Sequence, residues 1–536
     1  MDTTDKRNQR IARSTLVVML AFGLAKAISL AQTFIISDRF GTRAQWDAYI
    51  TASRIPDLIF TVIAGGALIN AFIPIFSRYV EQEDEKSAWR VASEVVNTAF
   101  VIVAVLSAIA FILAPWLIGT FVAPGFDSAT LAEAVQLMRL LLVTTLIFAI
   151  SGIVTGILQS YNHFLLPALA PIMFDVGVLF GAVFLITPLG VYGIAYGAIL
   201  GAALHLAIQI PGLVKRRAHW LPLFGLRDPE LRRFLCLMLP RVIDAALFIF
   251  GGLLANNLAS RLGEQAVSAF DWGWRLMQIP ETLIGTAMAT VIFPTLALLS
   301  QRGDVDGKRA AMSNSLRFIL ITTIPSAVIL TVMGYPLVSL LERGEFTSES
   351  TALVYNALRF FAFGIVMHSI LEVAARSFFA DKDTFTPLLI AFGGAVVNLV
   401  TALLFSGLLA GQPVSAMNVG GLAFANTLGV TFEVIVLLAI LRRRWHGINE
   451  TLLIQTTIKT IIASAAMALA LILIDSVWQW LGLAGRGTLF TVIQLGIQTV
   501  VGLAVFMGMT MMLKMTEVKT LLDLLLRRAK PVEAAA

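Results

Sequence analysis

Fourteen long apolar stretches follow one another along the 536 residues, and they decide which solvent this chain folds in. They run roughly over 14–36, 48–77, 91–122, 133–158, 164–187, 190–214, 234–258, 266–299, 312–341, 352–379, 385–409, 419–441, 453–481 and 488–513. A helix needs about 20 apolar residues to cross the hydrocarbon of a bilayer, and each stretch reaches that length. Composition agrees: 58% of the residues are hydrophobic and 13% charged, where a soluble domain has about 45–50% and about 25%. Disorder, coiled coil and an ordinary cytosolic enzyme are excluded. The expected fold is all-α, a polytopic membrane protein with about 14 transmembrane helices. The first stretch is too long for a signal-peptide core and no small-residue cleavage site follows it, so no cleavable leader is expected.

An even number of spans puts both termini on one side, and the basic residues say which. One set of loops holds 25 Lys and Arg, including Lys6–Arg13, Lys215-Arg216-Arg217, Arg442-Arg443-Arg444 and the terminal Lys514–Lys530 group; the opposite loops hold five. Basic loops stay inside, so both termini are expected in the cytoplasm. The formal charge of +6 reads as this loop bias rather than as nucleic-acid binding. Residues 515–530 form a short basic amphipathic segment expected on the inner leaflet.

Landmarks recur along the chain. Arg139 precedes Pro167 by 28 residues and Arg359 precedes Pro387 by 28, an offset of 220. Arg54-Ile-Pro-Asp57 is answered by Gln278-Ile-Pro-Glu281 at an offset of 224, and the turn Asp38-Arg39-Phe40-Gly41 by Ser260-Arg261-Leu262-Gly263 at 222. Spans 1–6 and 7–12 therefore read as two copies of one unit in the same orientation, pseudo-symmetric six-helix bundles with two extra C-terminal helices. The expected boundaries are 1–214 and 234–444 for the two lobes, 215–233 for a cytoplasmic linker, 445–514 for helices 13–14 and 515–536 for the tail. Parallel repeats with a substrate site between them are a known transporter plan.

Charges inside the spans locate that site. Lys26, Arg54 and Arg275 lie deep, and a cation at mid-membrane costs about 2.5–3.5 kcal/mol even on insertion scales. Such groups must face a polar cavity or a partner. Arg317 and Lys459, nearer helix ends, are expected to snorkel to the interface. Arg241/Asp244, Asp271/Arg275 and Glu372/Arg376 stand at helical spacing and can neutralise one another. Pro56 and Pro280 interrupt corresponding spans, the second and the eighth, and paired interruptions point to a binding site. Guanidinium groups there suit phosphate oxygens, so the expected substrate is an anion. No catalytic constellation is present: there is no Walker A sequence, no HExxH, no metal-ligand spacing, and Cys236 stands alone.

The stretch Phe40-Gly41, Asp47-Ala48-Tyr49, Arg54-Ile55-Pro56, Gly66-Ala67-Leu68 and Ala71-Phe72-Ile73-Pro74 resembles the MurJ (MviN) family, the lipid II flippases of peptidoglycan synthesis. So do Arg275-Leu-Met-Gln-Ile-Pro280 with Phe293-Pro294, and Phe378-Phe379-Ala-Asp-Lys-Asp383-Thr-Phe-Thr386-Pro387. The resemblance covers essentially the whole chain and places it in the multidrug/oligosaccharidyl-lipid/polysaccharide exporter superfamily. It implies alternating access, a cationic cavity for the diphosphate and sugar of lipid II, and a groove formed with the last two helices for the lipid tail. It also implies a bacterial inner-membrane location and a monomer that contacts membrane lipids and no nucleic acid.

By position, Arg275 matches the family's eighth-helix cavity arginine and Asp47 its second-helix aspartate; Lys26 stands where a first-helix arginine is usual. Gln32 and Phe60 replace arginines, Thr33 an aspartate and Gly65 a glutamate. Lys26, Gln32, Asp47, Arg54, Asp271 and Arg275 are thus the candidate substrate-binding set. Asp244 and Asn398 are candidates for ion coupling, with a sodium gradient or the membrane potential as driving force and no other cofactor. The lost arginines leave two alternatives: a divergent paralogue exporting another polyprenyl-diphosphate glycan, or a non-transporting scaffold.

Overall fold

The computed structural model describes residues 28–61, 66–161, 163, 165–216, 218–224, 250–408, 417–483 and 485–515. Every regular element among them is a helix. Eleven of the fourteen expected spans correspond to helices long and apolar enough to cross a membrane. The other three, at 14–36, 48–77 and 234–258, fall partly on residues outside those described, as do most of the linker 215–233 and nearly all of the tail. The chain divides into two compact units: Met1–Ser268 with Arg343–Phe346, and Ala269–Glu342 with Thr347–Ala536.

The first unit contains α1 (28–40), α2 (Ala44–Ile59), α3 (Gly66–Glu81), α4 (Glu85–Val122), α5 (Ser128–Ser160), α6 (Leu165–Leu189), α7 (Val191–Lys215), α8 (250–260) and the first turn of α9 (Ala266–Gln301). Side-chain caps fix where helices begin. Asp84 accepts the Ser87 amide at 3.1 Å ahead of α4, and Asp127 accepts the Ala129 amide at 2.9 Å ahead of α5. Each bond satisfies one of the donors a helix start leaves free.

Helices α6 and α7 meet backbone to backbone. A Cβ on Gly177 would lie 2.2 Å from the Cα of Gly201, and one on Gly181 2.7 Å from the Cα of Gly197. Glycines one turn apart on both faces let the helices approach where the solvent gives no hydrophobic drive. Phe72 and Phe76 pack with Trp89, Val95, Ile153 and Ile157 to join α3, α4 and α5.

Within the same unit two loops clasp two turns. Gly125, after α4, lies against the backbone of Ser260 and Arg261, with its amide 3.3 Å from Ser260 Oγ. Glu345 donates its amide to the Asp38 carbonyl at 2.8 Å, and its side chain pairs with Arg43. At an offset of 220 Gly125 answers to Glu345, and at 222 Asp38 answers to Ser260, so the two clasps are repeat equivalents. Gly41 and Gly263 both take positive φ, +54° and +115°, in those turns.

The second unit holds the rest of α9, then α10 (Val305–Val332), α11 (Ser348–Ala380), α12 (Phe385–Phe405), α13 (Asn418–Arg444), α14 (Glu450–Trp480) and α15 (Thr488–Met512). Met312, Ile319, Val373, Phe378, Leu437 and Trp445 form its core between α10, α11 and α13. Helix α14 packs on α10 and α15 on α14 through Ile321, Met467, Leu471, Leu495 and Phe506. Arg317 was expected to snorkel; instead its Nε donates to Thr456 Oγ1 at 3.2 Å and cross-links α10 to α14. A hydroxyl on a neighbouring helix is a nearer partner than the interface.

The paired interruptions are physical. A π-helical turn follows Pro56 at Phe60–Thr61, and another follows Pro280 at Thr282–Thr286. Proline removes an amide donor from the ladder, and the widened turn absorbs the misfit.

Candidate substrate site

Lys26 and Asp244 lie outside the described residues. The other candidates are dispersed among the described residues: Asp271 and Arg275 meet, while Asp47, Arg54, Gln32 and Asn398 each have their own surroundings, inside one unit or the other.

Asp47 sits in the first turn of α2 and is 1% exposed. Its Oδ1 accepts the Ser268 amide at 2.7 Å and its Oδ2 the Gln265 amide at 2.9 Å, while the Ser268 hydroxyl also donates to Oδ1. These amides belong to the start of α9. Asp47 therefore caps a helix that begins 219 residues further along the chain. Gln265 takes φ +70°, and its side chain accepts a hydrogen bond from Thr42 Oγ1 at 2.6 Å. The carboxylate serves protein donors here.

Arg54, two turns further along α2, donates from Nε to Asn256 Oδ1 at 3.3 Å. Asn256 is buried and donates in turn to Thr51 Oγ1 and to the Val122 carbonyl, both at 3.1 Å. Gln32, where the family resemblance leads one to expect arginine, donates to the Asp175 carbonyl in α6 at 2.6 Å. Phe60 stacks at a tilt on Phe148, 4.9 Å between centroids, and Phe148 meets Phe174 and His205. That corner of the first unit is aromatic. Thr33 bonds back to Ser29 of its own helix at 2.9 Å.

In the second unit Arg275 pairs with Asp271 one turn earlier in α9. The Asp271 side chain is 8% exposed and the Arg275 side chain 56% exposed. A buried carboxylate thus holds an exposed arginine side chain, and a guanidinium is a charge type that suits phosphate oxygens. Glu372 and Arg376 pair at 3.3 Å on α11. Asn398 lies on α12 where Gly429 of α13 approaches; a Cβ on that glycine would sit 2.9 Å from Asn398 Cβ.

The loop motif Asp381-Lys-Asp383-Thr-Phe-Thr386 has its own structural use. Asp381 accepts Lys308 Nζ at 2.7 Å, and the Lys308 ammonium lies over Trp445. Asp383 accepts the Thr386 amide at 3.0 Å and pairs with Arg444 at 2.7 Å.

Sequence reasoning missed Asn256, Gln265 and Ser268. Asn256-Asn257 in an apolar run was a readable signal, because an amide in a membrane helix needs a partner. It also missed a polar network in the first unit. There Ser151 Oγ lies 2.6 Å from His205 Nδ1, and Gln209 joins Ser151 and Thr155 at 2.9 Å each.

Paired proline interruptions, glycine-zipped helices and eleven membrane-length helices among the described residues define a class, a multi-pass helical membrane protein. Solved structures share the fold. An inward closed lipid II flippase MurJ aligns with a TM-score of 0.77 at 21% identity, covering 96% of this chain and all of that one. An inward-facing multidrug resistance transporter of the MOP superfamily aligns at 0.67 and 15% identity, over 81% and 99%. The family described as lipid II flippase MurJ matches residues 36–490, and the chain belongs to it. The lipid II flippase MurJ of Burkholderia cenocepacia is 29% identical over 416 residues, 76% of this chain and 80% of that protein. The probable lipid II flippase MurJ of Vibrio cholerae is 24% identical over 528 residues, 94% and 97%.

Proposed function

We propose that this chain is a lipid II flippase. It moves the undecaprenyl-diphosphate-linked peptidoglycan precursor from the inner to the outer leaflet of the bacterial cytoplasmic membrane by alternating access. The observation that carries the reading is the family match over 36–490, which takes in all three recognised motifs. Arg275 is the primary phosphate contact, held by Asp271 until substrate arrives, with Lys26 and Arg54 as further cations. Asp47, closed over the Gln265 and Ser268 amides, fastens one state of the cycle. Both termini are cytoplasmic, as the basic loops argue. The working form is a monomer driven by a sodium gradient or the membrane potential, with Asp244 and Asn398 as candidates for the ion. Helices α14 and α15 offer their outer faces to the lipid tail.

Rescue of a flippase-depleted bacterium tests the reading directly. Growth with normal wall synthesis is expected; lysis despite full membrane expression would overturn it. The aromatic setting of Phe60 favours one second reading, a paralogue that moves another polyprenyl-diphosphate glycan. That reading expects failed rescue together with binding of a different lipid-linked anion.

A further inference from the structure

The segment after α7 leaves the helix as Ala218-His219-Trp220-Leu221-Pro222-Leu223-Phe224 and runs without helical structure along α4. Two buried polar side chains of α4 hold it. Ser93 Oγ accepts the Leu221 amide at 3.0 Å. Asn97 Nδ2 donates to the Leu221 carbonyl at 2.8 Å and to the Leu223 carbonyl at 2.9 Å, and Asn97 Oδ1 accepts Trp220 Nε1 at 2.8 Å. The Leu223 amide turns back to the Leu221 carbonyl at 2.8 Å, and Pro222 has no amide to satisfy. Each amide donor from Leu221 to Leu223 is thus bonded within the protein.

Such economy is what a non-helical backbone needs where water is scarce. The position on α4 fits. Asn97 lies about 18 Å along the helix from Glu85 at 1.5 Å per residue. One turn beyond it begins the exposed apolar band of Phe100, Val101, Ile102 and Val105. The strap therefore runs at the edge of the hydrocarbon. Its side chains are largely exposed, Trp220 at 66% with only its N–H turned in to Asn97, and Phe224 at 63%. Lys215 and Arg216 precede it and are exposed. An indole with its N–H already bonded, apolar neighbours and a basic flank match the headgroup boundary of an anionic leaflet.

We propose that Trp220–Phe224 is an interfacial anchor that inserts into the lipid leaflet on the basic side of the protein, fixed to α4 by Ser93 and Asn97. Its partner is the anionic phospholipid surface. The anchor pins the beginning of the long basic linker at membrane depth. This placement stands whether or not the substrate is lipid II.

The test uses the full chain in nanodiscs of phosphatidylcholine and phosphatidylglycerol, with acyl chains brominated close to the glycerol. Subtracting the fluorescence of Trp220→Phe from that of the wild type isolates Trp220. The expected result is a Trp220 component quenched more strongly by the bromolipid than by aqueous iodide. Equal or stronger quenching by iodide would overturn the proposal and mark the face as one for a soluble partner. Hydrogen exchange gives an independent reading: the Leu221 and Leu223 amides should be protected in the wild type, and the Leu221 amide should lose protection in Ser93→Ala, which removes its acceptor. Exchange in the wild type at the rate of an unstructured peptide would also overturn it.

Discussion

Asp47 and Asp271 stand 224 residues apart at matching places in the repeat, and the molecule uses them in opposite ways. Asp47 is enclosed by two backbone amides and a hydroxyl. Asp271 pairs with a guanidinium, that of Arg275. The register explains the difference. At the same offset Thr51 answers to Arg275 and Arg54 to Gln278, so each copy carries its arginine on a different turn. One turn after Asp47 stands a hydroxyl that takes part in the Asn256 network; one turn after Asp271 stands a cation. In one copy the aspartate holds backbone amides and in the other it holds a side-chain cation, and the residue four positions on differs accordingly; if the proposed function holds, the first copy fastens and the second binds.

The largest effect should come from the binding copy. Arg275→Ala should lower lipid II translocation in proteoliposomes at least about 100-fold, because a forked contact to phosphate loses charged bonds of about 1.5–3 kcal/mol each. Expression and thermal unfolding should stay near wild type, since the Arg275 side chain is more than half exposed. Arg275→Lys should recover only part of the rate, because the planar fork is lost. Full transport by Arg275→Ala at equal expression would remove the distinction between the two copies.

The fastening copy should answer in stability. Asp47→Ala leaves the Gln265 and Ser268 amides buried without acceptors, at about 1–3 kcal/mol for each. Thermal unfolding in detergent should shift down by several degrees, while affinity for lipid II in the remaining folded protein changes little. A variant with unchanged melting and lost binding would reverse the roles assigned to the two aspartates. Asp271→Asn is a milder intervention. It keeps the shape and removes the charge that anchors Arg275, so binding of lipid II should weaken less than in Arg275→Ala.

The sequence carried the fold further than the site. Spans were readable because a lipid-facing helix must be apolar for its whole length, and the eleven membrane-length helices coincide with eleven of the stretches read from hydropathy. Pro56 and Pro280 marked where the second and eighth spans are interrupted, since a missing amide leaves a local mark in the chain, whereas the π turn at Gly181–Leu185 carries no such sign. Asp271 and Arg275 were legible as a pair because four residues is one helical turn. The contacts of Asp47 were not, because its partners lie 218 and 221 residues away in a turn whose importance depends on folding. The Asn256 bridge to Arg54 was hidden for the same reason. Periodicity reports which face of a helix is apolar and is silent on which distant amide a carboxylate meets.

The smallest effect is expected at Lys459, and it calibrates the others. Lys459 lies in α14, half-buried, with no hydrogen bond or ion pair to another of the described residues. It is a better control than Arg317, which binds Thr456 on α14 and whose removal would loosen a helix contact. A lysine with an apolar stem and a free ammonium reaches the interface by bending along the helix. Removing it should cost no more than the roughly ±0.5 kcal/mol of an ordinary surface change. Lys459→Ala should therefore transport at close to the wild-type rate and melt at the wild-type temperature. A loss approaching that of Arg275→Ala would mean that the spans respond to any missing cation. The contrast between Asp47 and Asp271 would then report overall charge, and Arg275 would lose its claim to a specific phosphate contact.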